Sequence, residues 1–473
     1  MSPPITPEQL AALPPEFRAL LQSIIQHYEA RIAKLEAELA AARKNSSTSS
    51  KPPSSDMVKP PPARKQPGRR KRGGQPGHPR HERVAFPPEQ VTHTKDYAFD
   101  RCPDYGGPVE LLDAPARVLQ QMEMPPQPVQ VTEHRSRVCR CGKCQREFAA
   151  PVPEEVQAAG LVGPRLTALV AYLKGACHCS FTTIRKYLRD VLQIKISRGQ
   201  LRNLCGKVAD SLAGAWQELF ASLPEQPRLN IDETGHKENG QGLWTWCFRA
   251  PLFTLFQISP SRGSEVLVEA LGLEFAGIIG CDYFSAYRKY MRLNEHVLVQ
   301  FCLAHLIRDV KFLVEHPHSR NRAYGERVLT ALRELFAIIH RRERYPSEQA
   351  FRIALEDQGY EVWLQATFRT PPTSEAQNLA QRFREHGENY IRFVTTPGVE
   401  PTNNLAEQAI RFVVLDRKVT QGTRGVAGRK WCERIWTVLA TCTQHGRDVL
   451  AFLVESLEAS FAQRAGPSLL PTS

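Results

Sequence analysis

No stretch of 18 apolar residues occurs in this 473-residue chain, so no membrane-spanning helix is read from it. The first residues, Met1-Ser-Pro-Pro-Ile5, lack the basic-then-apolar pattern of a secretion signal. Twelve cysteines are present. Without such a signal they read as thiols or metal ligands rather than as a disulfide framework. A soluble, cytoplasmic protein with no membrane partner is expected. Acidic residues are in the minority: 62 Lys and Arg stand against 49 Asp and Glu, a formal net charge of +13. That excess favours polyanion partners, without by itself separating nucleic acid from an anionic membrane surface. The length allows several domains, and 42% hydrophobic residues allow a sizeable core.

The chain changes character along its length. In residues 14–44, Leu21, Ile25, Tyr28, Ile32, Leu35 and Leu39 recur at spacings of four and three. That is a heptad seam, which predicts an N-terminal coiled coil (1–44) that pairs protomers. Residues 45–83 are rich in Ser, Pro, Gly, Arg and Lys and are expected to form a disordered basic linker. Its run Arg69, Arg70, Lys71, Arg72 is suited to phosphate contact. Residues 84–155 contain Cys102, Cys139, Cys141 and Cys144. Cys141-Gly-Lys-Cys144 has zinc-knuckle spacing. Upstream, Cys102-Pro-Asp-Tyr105 has Tyr where a second thiol belongs, so Cys139, or His134, would have to complete four ligands. A zinc-ribbon-like region is expected, with Zn2+ as its metal.

Residues 156–222 read as a helical domain with segments over 161–174, 181–192 and 198–212. Ser180 and Ser197 are expected to cap the second and third segments. Three short helices with a basic third one fit a helix-turn-helix unit, with Arg198, Gln200, Arg202, Asn203 and Lys207 toward DNA. Cys177 and Cys179, flanking His178, read as buried thiols. Residues 223–315 give strands at 228–234, 243–250, 252–258, 276–282 and 297–301. Helices are expected at 262–271, 283–292 and 302–315. This α/β order matches a ribonuclease H-like sheet at the level of fold analogy. Residues 316–395 read as a helical insertion, with helices over 327–344 and 347–366. Residues 396–463 return to the catalytic domain, with Thr402 as a helix cap, a basic loop from Arg417 and Lys418 to Arg424, and two final helices. Residues 464–473 form a tail.

Three acids flank these elements. Asp232 sits in Leu229-Asn-Ile-Asp-Glu-Thr234 near a strand end, Asp282 follows Gly277-Ile-Ile-Gly-Cys281, and Glu407 lies in a helical stretch beside Asn403, Asn404 and Ala406. Hard divalent cations prefer oxygen ligands. Two such ions ~4 Å apart can serve both the attacking and the leaving oxygen of phosphoryl transfer. Each acid alone is equally well read as a cap, a turn residue or a solvated side chain. Glu233 competes with Asp232. Strand alternation sends the two to opposite faces, and the residues alone leave the choice open. Cys302-Leu-Ala-His305 is short of ligands for a metal pair and reads as support for the site or as a DNA contact. Arg308, one turn on, can meet phosphate.

A linked set of motifs resembles the insertion sequence 66 family of bacterial transposases. The set comprises Asn45–Asp56, Gly73-Gly-Gln-Pro-Gly-His78, Asp232-Glu-Thr234, Cys281-Asp-Tyr-Phe-Ser-Ala-Tyr287, Cys302-Leu-Ala-His-Leu-Ile-Arg-Asp309 and Thr402-Asn-Asn-Leu-Ala-Glu407. The resemblance runs nearly end to end. It implies an acidic-triad (DDE) transposase using Mg2+ or Mn2+, with Asp232, Asp282 and Glu407 at the catalytic positions; Cys302, His305 and Asn404 are read as supporting residues beside them. It favours Asp232 over Glu233 and implies a helical insertion before the glutamate. Double-stranded DNA at transposon ends and target, a second copy of the chain and accessory proteins of the same element are the implied partners. Tyr105 departs from the family's usual Cys. A ribonuclease H-like nuclease without strand joining, and a non-catalytic DNA-binding derivative, are the alternative readings.

Overall fold

The computed structural model describes residues 12–42, 85–112, 115–125 and 128–471. The basic run Arg69–Arg72 lies outside them, as do the motifs at 45–56 and 73–78. The chain divides into two units, residues 61–133 and the rest (1–60 with 134–473). The described residues of the first carry one helical turn at Pro88–Gln90 and a bridge between Arg101 and Pro108.

The second unit starts with helix α1 (Pro15–Ala42). Its expected seam is open: Ile32, Leu35 and Leu39 are 55%, 49% and 50% exposed, so the described residues leave them uncovered. A short hairpin follows, β1 (Val138–Arg140) and β2 (Glu147–Ala149). Then come α2 (Glu154–Ala159), α3 (Pro164–Gly175), α4 (Phe181–Asp190), α5 (Arg198–Ser211) and α6 (Ala213–Ala221). The stretch 154–175 is apolar and long enough in composition to cross a membrane. It is broken at Gly160 (φ 70°) and restarts at Pro164, and α3 packs on α5. Ser180 and Ser197 cap α4 and α5 as expected, each accepting a backbone N–H from three residues on. Val170, Ile184, Leu188, Leu201 and Leu204 form a small core of their own between α3, α4 and α5.

The sheet comprises β3 (Arg228–Glu238), β4 (Gln241–Arg249), β5 (Thr254–Ser259), then α7 (Ser264–Leu271), β6 (Ile278–Cys281), α8 (Ser285–Leu293) and β7 (Leu298–Phe301). The spatial order is β5-β4-β3-β6-β7. The β3–β4 and β4–β5 pairs are antiparallel, while β3–β6 and β6–β7 are parallel. The strands fall where the apolar runs predict, with one correction. β3 runs four residues past the expected end, because Gly235 to Glu238 pair with Trp244 to Gln241 across a tight turn at Asn239-Gly240. Asp232 therefore lies inside the strand rather than at its end.

After β7 come α9 (Leu303–Val314) and the helical insertion, α10 (Ser319–His340), α11 (Glu348–Thr367) and α12 (Ser374–Thr395). The last of these was not expected. Its amphipathic pattern is interrupted at His386, where the backbone leaves helical geometry (φ −139°, ψ 23°). The chain closes with α13 (Asn404–Thr420), α14 (Val426–His445) and α15 (Val449–Phe461). Asn403, not Thr402, precedes α13 as its cap, without a side-chain capping bond. Arg417 and Lys418 belong to the last turn of α13 rather than to a loop.

Both sheet edges are covered by side chains, which solves the problem of unpaired edge groups. Along β5, Glu433, Thr437 and Thr441 of α14, spaced by four, accept the N–H groups of Ile258, Phe256 and Thr254 at 2.7, 3.0 and 3.1 Å. Along β7, Gln300 accepts Phe393 N–H at 2.8 Å and donates to the Tyr390 carbonyl at 3.0 Å. Arg392 donates to the Val299 carbonyl at 3.2 Å.

The contact between α9 and α10 gives a stability prediction. A Cβ on Gly325 would lie 2.8 Å from Val314 N and 2.9 Å from Leu313 Cβ, whereas one on Gly206 of α5 meets nothing within 4 Å. Gly206→Ala should gain about 1 kcal/mol from helix propensity. Gly325→Ala should lose about 1–3 kcal/mol from overpacking. Thermal unfolding of the two variants beside the parent checks the opposite signs.

Candidate active site

Register places the two aspartates. In the parallel β3–β6 pair Asn230 stands opposite Gly280. Two residues further along each strand direction come Asp232 and Asp282, which puts them at one level and on one side of neighbouring strands roughly 4.8 Å apart. Gly280 leaves room for the Asn230 side chain; a Cβ there would meet Asn230 Nδ2 at 2.6 Å. The β6–β7 register continues the row: Cys281 faces Phe301, and Cys302 N donates to the Cys281 carbonyl at 2.7 Å. Asp282 and Cys302 thus follow directly on the ends of β6 and β7, beside the β3 strand that carries Asp232.

Helix α13 crosses this face. Asn403, buried, donates through Nδ2 to the Ile231 carbonyl at 2.8 Å, and its Oδ1 accepts Asn230 Nδ2 at 3.0 Å. Its N–H donates to Cys302 Sγ at 3.1 Å. Further along, Arg417 donates to Thr234 Oγ1 at 3.2 Å. These bonds hold the start and end of α13 to β3, with Glu407 in the helix's first turn. Asn403 is the docking residue. Asn404, expected to support the site, is exposed instead.

Glu233 is on the opposite face, as strand alternation requires. It is buried and bonded: Arg262 Nε donates at 2.8 Å to one carboxylate oxygen and Tyr287 Oη at 2.6 Å to the other. The Arg262 guanidinium lies over the rings of Phe284 and Trp244 at 3.8 and 4.5 Å. Glu233 is therefore already neutralised by protein groups. Asp232 is not: its Oδ1 accepts only the Glu233 N–H at 2.9 Å. Asp282 Oδ1 likewise accepts the Phe284 N–H at 2.9 Å. Sequence reasoning missed Arg262 and Tyr287, since nothing in their local patterns marks them; the face opposite Asp232 was the usable signal.

The electrostatics follow from crowding. Burial, then the charges of Glu233, Asp282 and Glu407, hold the Asp232 carboxyl well above the usual range. Burial and Glu233 push Asp282 up to about 7, against the Phe284 N–H and Arg262. Two carboxyls that resist ionising together are ready for a cation. Glu407 Oε1 is buried with no hydrogen-bond partner among the described residues. Its Oε2 is 3.4 Å from Arg308, and its Oε1 is 3.5 Å from His305 Nδ1. Burial and Arg308 lower His305 to about 4, so its ring is neutral. Oxygen donors with a surplus of negative charge and an unsatisfied buried carboxylate oxygen fit a hard divalent cation. Among the described residues, one group of three metal-ligating side chains has its ligand atoms all within 4.8 Å of one another, and it is Cys302, His305 and Glu407. Asp232 and Asp282 are not in it. Glu407 leans to the cysteine–histidine side of the face.

The other expected residues are scattered. Arg198, Arg202 and Asn203 are exposed on α5. Lys207 is turned to the protein, donating to the Ala158 and Ala159 carbonyls at 2.7 and 2.9 Å. Lys418 is exposed, Arg417 half-buried. Cys177 and Cys179 are not the buried thiols expected, being exposed and half-buried, and His178 between them (φ 53°) places Nδ1 3.2 Å from Asp416 Oδ1. Cys141 starts a turn in which its N–H donates to the Arg146 carbonyl and its carbonyl accepts Gln145 N–H, both at 2.9 Å. In the other unit, Cys102 starts a turn of the same pattern with Gly107 and Gly106, both at 2.8 Å. Tyr105 there holds the place that Cys144 holds here. Cys139 is on β1, outside the turn.

The Transposase IS66 family matches residues 159–430, which contain all three acids and more than half of the chain. The chain belongs to that family. A second family, of unknown function, matches residues 4–84. The chain is also similar to three uncharacterized proteins of Sinorhizobium fredii. It is 26% identical to y4qI over 65% of this chain and 61% of that one. It is 24% identical to y4jD over 68% and 66%, and 23% identical to y4hP over 72% and 67%. The chain thus spans less than two thirds of the length of the first two.

The raised Asp282 carboxyl has a stability consequence. Folded protein keeps this proton to about pH 7, while the usual value is 3.8. Between those values the folded state binds more protons than the unfolded one, so this group lowers stability as pH rises. With divalent ions chelated at pH 8, Asp282→Asn should be more stable than the parent by roughly 1–3 kcal/mol. The difference should vanish near pH 4. Denaturant unfolding at the two pH values measures it, and a less stable variant at pH 8 would contradict the crowding.

Proposed function

We propose that this chain is a DNA transposase that cuts at transposon ends and joins the freed ends to target DNA. Asp232, Asp282 and Glu407 would form its catalytic triad in a ribonuclease H-like sheet, holding Mg2+ or Mn2+. The observation that carries this reading is that Asp232, on β3, lies within electrostatic reach both of Asp282, just after the parallel neighbour β6, and of Glu407 on α13. Bound divalent cations supply Lewis acidity and charge neutralisation at the scissile phosphate. The chain's own groups do the rest. Asp232 and Asp282, fixed by backbone N–H bonds, present their remaining oxygens from rigid strand positions. Glu407 orients the attacking water or 3′ hydroxyl. Arg308, beside Glu407, and Lys418, exposed on the last turn of α13, meet phosphate oxygens.

The DNA-holding parts are read from the rest of the chain. Arg198 and Arg202 project from α5, and the basic run Arg69, Arg70, Lys71, Arg72 adds a sequence-independent hold. The turn that carries Cys141 and Cys144 supports the zinc-knuckle reading of that segment. Backbone N–H groups of Cys144 and Lys143 lower the Cys141 thiol, which suits a metal thiolate. The open seam of α1 supports pairing of protomers, which two transposon ends require.

Two experiments test this. On labelled DNA carrying the element's own ends, Mg2+-dependent cleavage and joining should fall by more than about 100-fold in Asp232→Asn, Asp282→Asn and Glu407→Gln, with DNA binding retained. Cleavage without joining would favour a nuclease, and binding without cleavage in the parent a non-catalytic derivative. Replacing Ile32 and Leu35 together by Lys should halve the mass seen by light scattering. A monomeric parent would refute the seam as a pairing surface.

A further inference from the structure

Cys302, His305 and Glu407 converge from three places: the end of β7, the first turn of α9 and the first turn of α13. The Cys302 and His305 side chains are buried, and the three ligand atoms all lie within 4.8 Å of one another. The polar atoms between them are unsatisfied. His305 Nδ1 and Glu407 Oε1 are both buried without a hydrogen-bond partner among the described residues, at 3.5 Å from each other. Burying two such atoms unpaired costs about 1–3 kcal/mol each, a cost that a bound cation would remove.

The donor types say which cation. One sulfur, one imidazole nitrogen and one carboxylate oxygen are the ligands of Zn2+ and its d-block neighbours, not of Mg2+. Tetrahedral bonds of about 2.0–2.3 Å put ligand atoms about 3.3–3.8 Å apart, so the three need close by only about 1 Å. The surroundings are those of a built ligand set. Asn403 N–H donates to Cys302 Sγ at 3.1 Å, the kind of outer contact that orients a thiolate ligand. Arg308 holds Glu407 through Oε2 and leaves Oε1 for the third bond. The nearby guanidinium opposes a cation, which sets a limit on affinity.

We propose that Cys302, His305 and Glu407 form a thiophilic metal site, and that Zn2+ bound there holds Glu407 on the cysteine–histidine side, away from Asp232 and Asp282. This rests on the reading of Glu407 as the third catalytic acid. The site is then an inhibitory one. It offers Glu407 a second partner that a hard cation cannot match, and a free Zn2+ ion suppresses cleavage without displacing the aspartates' own cation.

Co2+ is the probe, used with the full chain. Thiolate-to-cobalt charge transfer in the near ultraviolet should show a component lost in Cys302→Ser, in His305→Gln and in Glu407→Gln. Cysteines of the zinc-ribbon-like region also bind Co2+, but their band does not depend on His305 or Glu407. Circular dichroism confirms folding, and Glu407→Gln, a near-isosteric change at a less buried position than Cys302 or His305, guards against loss through misfolding of the buried variants. A spectrum indifferent to all three substitutions overturns the proposal. This readout needs no DNA cleavage, so it stands or fails separately from the transposase reading. Where cleavage is observed, the Zn2+ concentration that halves the Mg2+-supported rate should rise at least about 10-fold in Cys302→Ser, each protein compared with its own zinc-free rate. An unchanged value would mean that Zn2+ acts by replacing the hard cation, and the inhibitory role falls.

Discussion

The structure turns on a cost: several carboxyl groups are brought together on one side of the sheet, where burial and mutual repulsion both oppose their charge. Asp232 and Asp282 are driven together by register, because Asn230 pairs with Gly280 and each chain continues two residues further. Nothing in the sheet itself relieves them. The relief is asymmetric. Glu233, on the far face, has Arg262 and Tyr287. Each site aspartate has a single backbone N–H. The protein thus neutralises the acid it uses for packing and leaves the other two short of positive charge, which is the condition for cation binding.

Holding a third acid against that crowding requires rigid attachment of α13. Asn403 provides it at the start of the helix by bonding at once to β3 and to the end of β7. The far end is secured by Arg417 on Thr234 and by the loop beyond it. There Gly422, at φ 86°, passes so close to Lys237 that a Cβ would meet its carbonyl oxygen at 2.2 Å. Between these anchors, buried Asp416 accepts Trp436 Nε1 at 3.2 Å and faces His178. His178 belongs to the loop after α3, in the helical domain that carries Arg198 and Arg202. A bonded path therefore runs from that domain to the helix of Glu407. A displacement of the α3–α4 loop would be felt at Asp416, about two and a half turns along α13 from Glu407.

Much of this was legible in the sequence. Alternation and apolar runs located all five strands, Ser180 and Ser197 announced their helices, and the three acids stood out by what preceded them. What was not legible has a common cause: it depends on contacts between segments far apart. The end of β3 depended on pairing with β4, not on its own composition. Helix α12 was hidden by the break at His386. Asn403 and Asn404 are chemically identical in sequence, and only docking shows that the first is buried against Ile231 and the second exposed. Lys207 looked like a phosphate contact until the Ala158 and Ala159 carbonyls were found beside it. Basic side chains on a helix face carry no mark of which will be spent inside the protein.

The contrast between Asp232 and Glu233 shows what docking adds to such an ambiguity. Strand alternation fixes only that the two point apart, and either face could have been the site. The deciding fact is where the compensating charges are. On the Glu233 face lie a guanidinium held between two aromatic rings and a phenol, all within hydrogen-bond or stacking distance. On the Asp232 face lie Asp282, Glu407, a neutral imidazole and a thiol. A face furnished with cation and donor has no need of a metal, whereas one furnished with acids has no stable charged state without one. The same reasoning locates the tension at Glu407. It has the Asp232 carboxylate within electrostatic reach and the Cys302 thiol and His305 ring within 4.8 Å, so its carboxylate stands between two different sets of donors.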